Sequence, residues 1–194
     1  SLNTSYNGYS SGMMSDIALP TTISTLTPTF SVADITLEST ALFRSISSVV
    51  FRGTFRSQPI VVKQVYLPTT ATTSPVAMTQ EIRILTSYKH TNIVLFHGIV
   101  SDMDEGVGII MEYLPLGSLF DALHKSKTAE RWSLLYKLQI LHGVASALSY
   151  LHACNIIHRD IKSANILLTP NSAKLSDFGL SIESLDSAVD NIVG

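Results

Sequence analysis

His158–Leu168 reads HRDIKSANILL, and Asp177–Gly179 reads DFG. These two stretches hold a carboxylate able to act as a base (Asp160), a cation (Lys162) and two oxygen donors (Asn165 and Asp177). Moving a strongly anionic phosphoryl group calls for that mixture, because its charge must be met and the attacking hydroxyl must be oriented. Mg²⁺ takes hard oxygen ligands, which a carboxylate and an amide carbonyl supply. Between the stretches, Leu167-Leu168, Thr169–Ser172 and Ala173–Leu175 read as a short hairpin with Pro-Asn in its turn. Such a hairpin returns Asp177 towards Asn165.

The 194 residues are 45 % hydrophobic, which suffices for a packed core. Charged residues make up only 14 % and the net charge is −2. With no basic block, nothing suggests nucleic acid or an anionic membrane surface as a partner. No apolar run approaches the roughly 18 residues of a spanning helix, so no membrane segment is expected in this chain. Cys154 is the single cysteine and has no internal disulfide partner, which fits a reducing compartment. Position 1 is Ser and Gly194 closely follows DFG, so the chain reads as a fragment.

Ser1–Ser31 is rich in Ser and Thr, with Asp16 as its only charge. Residues 1–34 read as a flexible linker, or alternatively as a regulatory or juxtamembrane tail. Leu42–Gly53 reads as the first strand and turn of a hairpin, and Pro59–Val65 as its partner. Lys63 lies in that apolar partner strand, where a charge is costly unless paired. Ser74–Tyr88 carries Val76, Met78, Ile82 and Leu85 at helical spacing, with Ser74 as N-cap, Pro75 at the first helical position and Glu81 mid-helix. Asn92–Ser101 and Gly106–Glu112 read as strands around the acidic turn Asp102–Glu105. A long helix ends at Ala153 after starting near Thr128 or Ser133. Its stripe of Leu134, Leu138, Leu141, Ala145 and Leu148 reads as core.

In this order, HRDIKSANILL and DFG resemble the protein-kinase catalytic loop H-R-D-x-x-x-x-N and metal-binding turn D-F-G. The wording is most similar to the tyrosine-kinase-like group of Ser/Thr kinases, over about Leu37 to Gly194. The resemblance implies an α+β, bilobal fold. A small antiparallel-sheet lobe with one key helix (35–112) precedes the upper part of a mainly helical lobe (113–194), which ends in the activation segment. It implies ATP and Mg²⁺ as cofactors, Ser/Thr-bearing proteins as substrates, and a cytoplasmic location or the intracellular part of a membrane receptor. Asp160 would orient the substrate hydroxyl and Lys162 would stabilise the γ-phosphate. Asn165 and Asp177 would hold Mg²⁺, and Lys63, fixed by Glu81, would hold the α/β-phosphates. Leu42, Val50, Val61, Met111, Glu112, Leu114 and Leu167 would line the nucleotide pocket. His158 and Phe178 would link the loop to the helix of Glu81. Ser181, Ser184 and Ser187 would lie in the activation segment, where a phosphate would pair with Arg159. The A-P-E anchor and substrate-binding helices are absent, so the chain alone is expected to be marginally stable or inactive.

The match fails at the glycine-rich loop G-x-G-x-x-G-x-V. Anchored on Val50, its three glycine slots hold Phe43, Ser45 and Ser48. Glycine serves there to bring backbone N–H groups close to phosphate. Val61 replaces the small residue that faces adenine, and its extra methyls cost about 1–3 kcal/mol in an unrelaxed pocket. These departures keep a rival open, namely a pseudokinase acting as a nucleotide-independent binding or scaffolding module.

Overall fold

In the computed structural model, residues 27–66, 76–103 and 106–184 are described. Ser74, Pro75, Glu105 and Ser187, like most of the expected linker, lie outside them.

Six strands form one sheet in the order β1-β5-β6-β4-β3-β2. They are β1 (Thr29–Phe30), β2 (Ile35–Arg44), β3 (Ser48–Phe55), β4 (Gln58–Val65), β5 (Phe96–Met103) and β6 (Gly106–Glu112). All neighbours are antiparallel except β1, which runs parallel to β5. Thr29–Phe30 therefore belongs to the sheet, although composition marks it as linker. Leu42–Gly53 likewise is not one strand. It holds the end of β2, a turn at 45–47 and the start of β3, because Ser45 and Ser48 bond each other across the turn. The tight β3–β4 turn is Arg56–Ser57, both at positive φ (49° and 63°), the pairing that matches strand twist.

Period-two alternation sorts the sheet's faces. Ile60 and Val62 of β4 join Ile110 and Phe55 in a cluster on the outer face. Val61 and Val65 point the other way, against the main core, and Lys63 shares their face. Helix α1 (Val76–Ser87) lies on that inner face and buries Met78, Glu81, Ile82 and Leu85. Burying each such apolar side chain contributes about 1.5–3 kcal/mol.

The same core continues into the second lobe through Ile140, Ala147, Leu151, Leu175 and Phe178. Helix α2 (Leu134–Ala153) starts at Ser133, whose hydroxyl accepts the Tyr136 N–H. Its buried face is Ile140, Gly143, Ala147 and Leu151. Most of the leucine stripe expected in the core is on the other side, with Leu134 72 % and Leu141 65 % exposed, while Leu148 packs partly against the core. The helix is apolar nearly all round, so periodicity alone does not say which face meets the sheet. After α2 come β7 (Ile156–Ile157), the hairpin β8 (Ile166–Thr169) and β9 (Ser172–Leu175), and β10 (Ile182–Glu183), which pairs with β7. The expected strand from Asn92 begins only at Phe96. Asn92 instead donates from Nδ2 to Ser172 Oγ and to the Ala173 carbonyl, which pins this stretch to β9. Among the described residues, no helix is long and apolar enough to cross a membrane.

Gly143 is where α2 meets β9 most closely. A Cβ there would lie 2.8 Å from Asn92 Nδ2 and 3.1 Å from the Ala173 carbonyl oxygen. In an open helix, Gly→Ala stabilises by about 0.5–1 kcal/mol. Here the sign reverses: Gly143→Ala should destabilise by about 1–3 kcal/mol, read as a lower midpoint in urea unfolding.

Candidate active site

Lys63 enters from the centre of the sheet. Its Nζ donates to Glu81 Oε1 and Oε2 at 2.9 and 2.8 Å and to Asp177 Oδ1 at 2.9 Å. The Lys63 and Glu81 side chains are only 16 % and 3 % exposed. Burial alone lowers the lysine's pKa, but the facing carboxylates of Glu81 and Asp177 outweigh it and hold Lys63 above its ordinary value. The ammonium thus stays charged at neutral pH. Removing one partner from such a buried pair leaves a charge uncompensated and costs about 3–5 kcal/mol.

Asp177 reaches this point in a left-handed conformation, φ 64°, which a short polar side chain tolerates. Around it the chain is tied down by neutral bonds. Ser176 donates from its N–H (2.9 Å) and its Oγ (3.1 Å) to the Asn165 carbonyl. His158, buried, lies 4.9 Å from the Phe178 ring in edge-on contact. Its Nδ1 accepts the Asp160 N–H at 3.3 Å, so its Nε2 carries the proton and donates to the Ser176 carbonyl at 3.2 Å. Those two bonds define one neutral tautomer. Burial pushes the His158 pKa below its usual value, which favours the same state.

On the loop itself, Asp160 Oδ2 accepts from Lys162 Nζ (2.7 Å) and Asn165 Nδ2 (2.9 Å). The Lys162 hydrogen bond, aided by Asn165, holds the Asp160 carboxyl below the ordinary carboxylate range. It remains an anion with Oδ1 left to meet a ligand. Asn165 also gives its amide to the Asp160 carbonyl at 3.0 Å, which leaves its Oδ1 as the ligand atom. Among the described residues, no three His, Cys, Asp or Glu side chains group as a metal site. The donors at this end are two carboxylates and an amide oxygen, a hard set suited to Mg²⁺ with phosphate oxygens and water.

The residues expected to face a nucleotide lie along β2–β4 and the crossing between lobes. Val50 pairs with Lys63, and Val61 with Met111. Leu42 sits at a register break in β2 and is 52 % exposed. Leu167 bridges Ser118, beneath the crossing. The Glu112 N–H is taken by the Leu95 carbonyl. The Leu114 carbonyl is taken by Gly117 N–H, while among the described residues no backbone partner meets the Leu114 N–H. At the glycine-slot turn, Ser45 N–H bonds the Ser48 carbonyl (2.8 Å) and Ser48 N–H bonds Ser45 Oγ (3.0 Å). Both amides are therefore spent within the turn. Phe43, 61 % exposed, does not plug the cleft.

Other features have no strong signal in the sequence. Lys174 of β9 pairs with Glu112 at 2.6 Å, and the same Oε1 accepts the Leu95 N–H at 2.7 Å. The alternation of β9 marks Lys174 as facing away from the core, but not which acid it meets. Ser181, expected as a modifiable serine, is 2 % exposed and donates to the His158 carbonyl. Arg159 Nε is engaged by the Leu180 carbonyl at 2.6 Å. A phosphate on Ser181 has no room, so that expectation fails on burial.

Residues 41–191 match the family model described as protein tyrosine and serine/threonine kinase. A probable serine/threonine-protein kinase of Dictyostelium discoideum is 37 % identical over 145 residues, 74 % of this chain and 16 % of its own length. The serine/threonine-protein kinase STY46 of Arabidopsis thaliana is 34 % identical over 132 residues, 68 % of this chain and 22 % of its own. A leaf rust 10 disease-resistance locus receptor-like protein kinase-like protein (1.3) of Arabidopsis thaliana is 45 % identical over 105 residues, 52 % of this chain and 15 % of its own. The chain thus spans 15 to 22 % of the length of these relatives.

A lowered His158 pKa means that the unfolded chain binds the proton first as pH falls. Its contribution is fully present above about pH 6.5 and is lost on acidification below that value. Unfolding midpoints at pH 7.5 and 5.5 should therefore differ more for the wild type than for His158→Phe. Equal differences would show that His158 carries no such term.

Proposed function

This chain belongs to the protein tyrosine and serine/threonine kinase family, and from that premise we propose that its cleft supports ATP- and Mg²⁺-dependent phosphoryl transfer to serine or threonine hydroxyls of proteins. The observation that carries this reading is the junction of Lys63 with Glu81 and Asp177 at 2.8–2.9 Å. It sets a permanent cation beside an oxygen donor where a polyphosphate and its metal would lie. Lys63 would bind the α- and β-phosphates. Asn165 and Asp177 would hold Mg²⁺, which neutralises phosphate charge when bound.

The remaining chemistry belongs to side chains of the loop. Asp160 Oδ1 orients the substrate hydroxyl and receives its proton as the oxygen attacks the γ-phosphorus. The bond from that phosphorus to the β–γ bridging oxygen breaks, and ADP leaves. Lys162, already at 2.7 Å from Asp160, stands next to the incoming charge. Nothing covalent forms with the protein, so the site acts by position and preorganised charge. The Leu114 N–H, which no described backbone group takes, would offer a donor for the edge of adenine.

One observation favours the second reading, a scaffold that binds no nucleotide. The turn of Ser45 and Ser48 satisfies its own amides, so phosphate gains little from this loop. The serine turn would weaken nucleotide affinity, while the Lys63 junction supports the transfer reading.

Asp160→Asn should lower phosphoryl transfer by about 10²–10⁴-fold while Mg²⁺-ATP still binds in calorimetry. A wild-type chain that folds but shows no Mg²⁺-ATP binding would favour the scaffold. Freeing the turn with the double substitution Ser45→Gly and Ser48→Gly should tighten ATP binding, by about 1 kcal/mol if one amide hydrogen bond is gained.

A further inference from the structure

The family match starts at residue 41, yet the described chain before it is fastened to the first lobe along its whole length. β1 adds to the open edge of β5, with Thr29 opposite Ile99 and Phe30 opposite Val100. Ile99 N–H donates to the Pro28 carbonyl at 2.9 Å. Gly98, at φ +152°, makes the approach possible, since a Cβ there would lie 2.4 Å from the Pro28 oxygen. Phe30 packs on Phe55 with centroids 4.6 Å apart. Farther along β5, Asp102 accepts Ser31 Oγ at 2.7 Å and Val32 N–H at 2.8 Å. The Ser31 hydroxyl, with the Val32 amide, holds the Asp102 carboxyl below its ordinary pKa.

The start of this stretch leaves the sheet and meets α1. Thr27 is 6 % exposed, and its hydroxyl lies 3.2 Å from that of Thr86. Thr86 is in the last turn of the helix that presents Glu81. The inner face of α1 is held by apolar packing, which is non-directional and tolerates sliding or rotation. Hydrogen bonds are directional and fix register. Among the described residues, two polar anchors besides Glu81 join α1 to elements outside it: Arg83 to Glu183 at 3.2 Å, and Thr86 to Thr27. The first depends on the segment after Asp177. The second depends only on residues ahead of the family match.

We propose that Thr27–Asp34 is a strap that positions α1, tying its last turn to the β5 edge so that Glu81 stays within reach of Lys63. Thr27 and Thr86 are positioning residues. Asp102 is the buckle that keeps the strap on the sheet. This rests on the reading of Glu81 as the partner that readies Lys63 for phosphate.

Hydrogen exchange on the full chain tests it without requiring activity. Asp102→Ala, at an exposed site, and Thr27→Val should each speed exchange of α1 amides severalfold while β3 and β4 amides keep wild-type rates. Thr27→Ser, which keeps the hydroxyl, should restore α1 protection. In parallel, kcat for transfer to casein should fall in Thr27→Val and recover in Thr27→Ser. Unchanged α1 exchange in both releasing variants would overturn the strap, as would equal acceleration in every element. Transfer is read on the full-length parent domain, since this chain alone is expected to be inactive; a parent domain that never transfers phosphate would instead overturn the kinase reading, and the exchange result would still decide whether the strap holds α1.

Discussion

A lysine ammonium buried between two carboxylates is the constraint on which this structure turns. Lys63 meets Glu81 across 18 residues of sequence and Asp177 across 114. None of these side chains is satisfied by its neighbours in the chain. Strand β4, helix α1 and the turn after β9 must therefore arrive together, or a charge is left stranded in the core. The same requirement aligns the lobes, because β4 and α1 belong to one and Asp177 to the other. The proposed catalytic geometry and the fold's stability thus draw on one junction. That is why the cleft is specified even where Phe43, Ser45, Ser48 and Val61 depart from the family pattern.

A second layer, made of uncharged bonds, holds the loop that faces this junction. Arg159 and Asp177 both take positive φ near 64°, conformations that cost about 1–3 kcal/mol each for residues other than glycine. The bonds of His158, Ser176, Asn165 and Ser181 offset that cost. They tie Ser176 and Ser181 back to His158 and Asn165. The burial of Ser181 and the engagement of Arg159 by Leu180 belong to the same economy of local contacts.

Between β2 and β3, the serine turn replaces glycine flexibility with internal hydrogen bonding. Ser45 and Ser48 close the turn on themselves, whereas glycines leave amides open to phosphate. Beneath it, Glu112 is held by Lys174 and by the Leu95 amide. That arrangement fixes the crossing between the lobes to the strand that leads into Asp177. The crossing between the lobes and the turn of Asp177 are therefore linked by a polar path separate from the Lys63 junction.

The residues alone determined the family and the local elements. HRD with Asn165, DFG, the lysine in an apolar strand and the glutamate at mid-helix carry the reading, because reaction chemistry dictates residue types and short loops dictate spacing. The β8–β9 hairpin and the extent of α2 were legible for a similar reason, since turn residues and periodicity act over a few positions. Only the tertiary structure decided that Thr29–Phe30 joins the sheet, that α2 buries Gly143 and leaves Leu134, Leu138 and Leu141 exposed, and that Ser181 is buried with its hydroxyl on the His158 carbonyl. Each of these depends on which face or edge is left open once distant elements have packed. A polar stretch looks the same in sequence whether it trails in water or completes a sheet, and an all-round apolar helix presents no preferred side until a neighbour selects one.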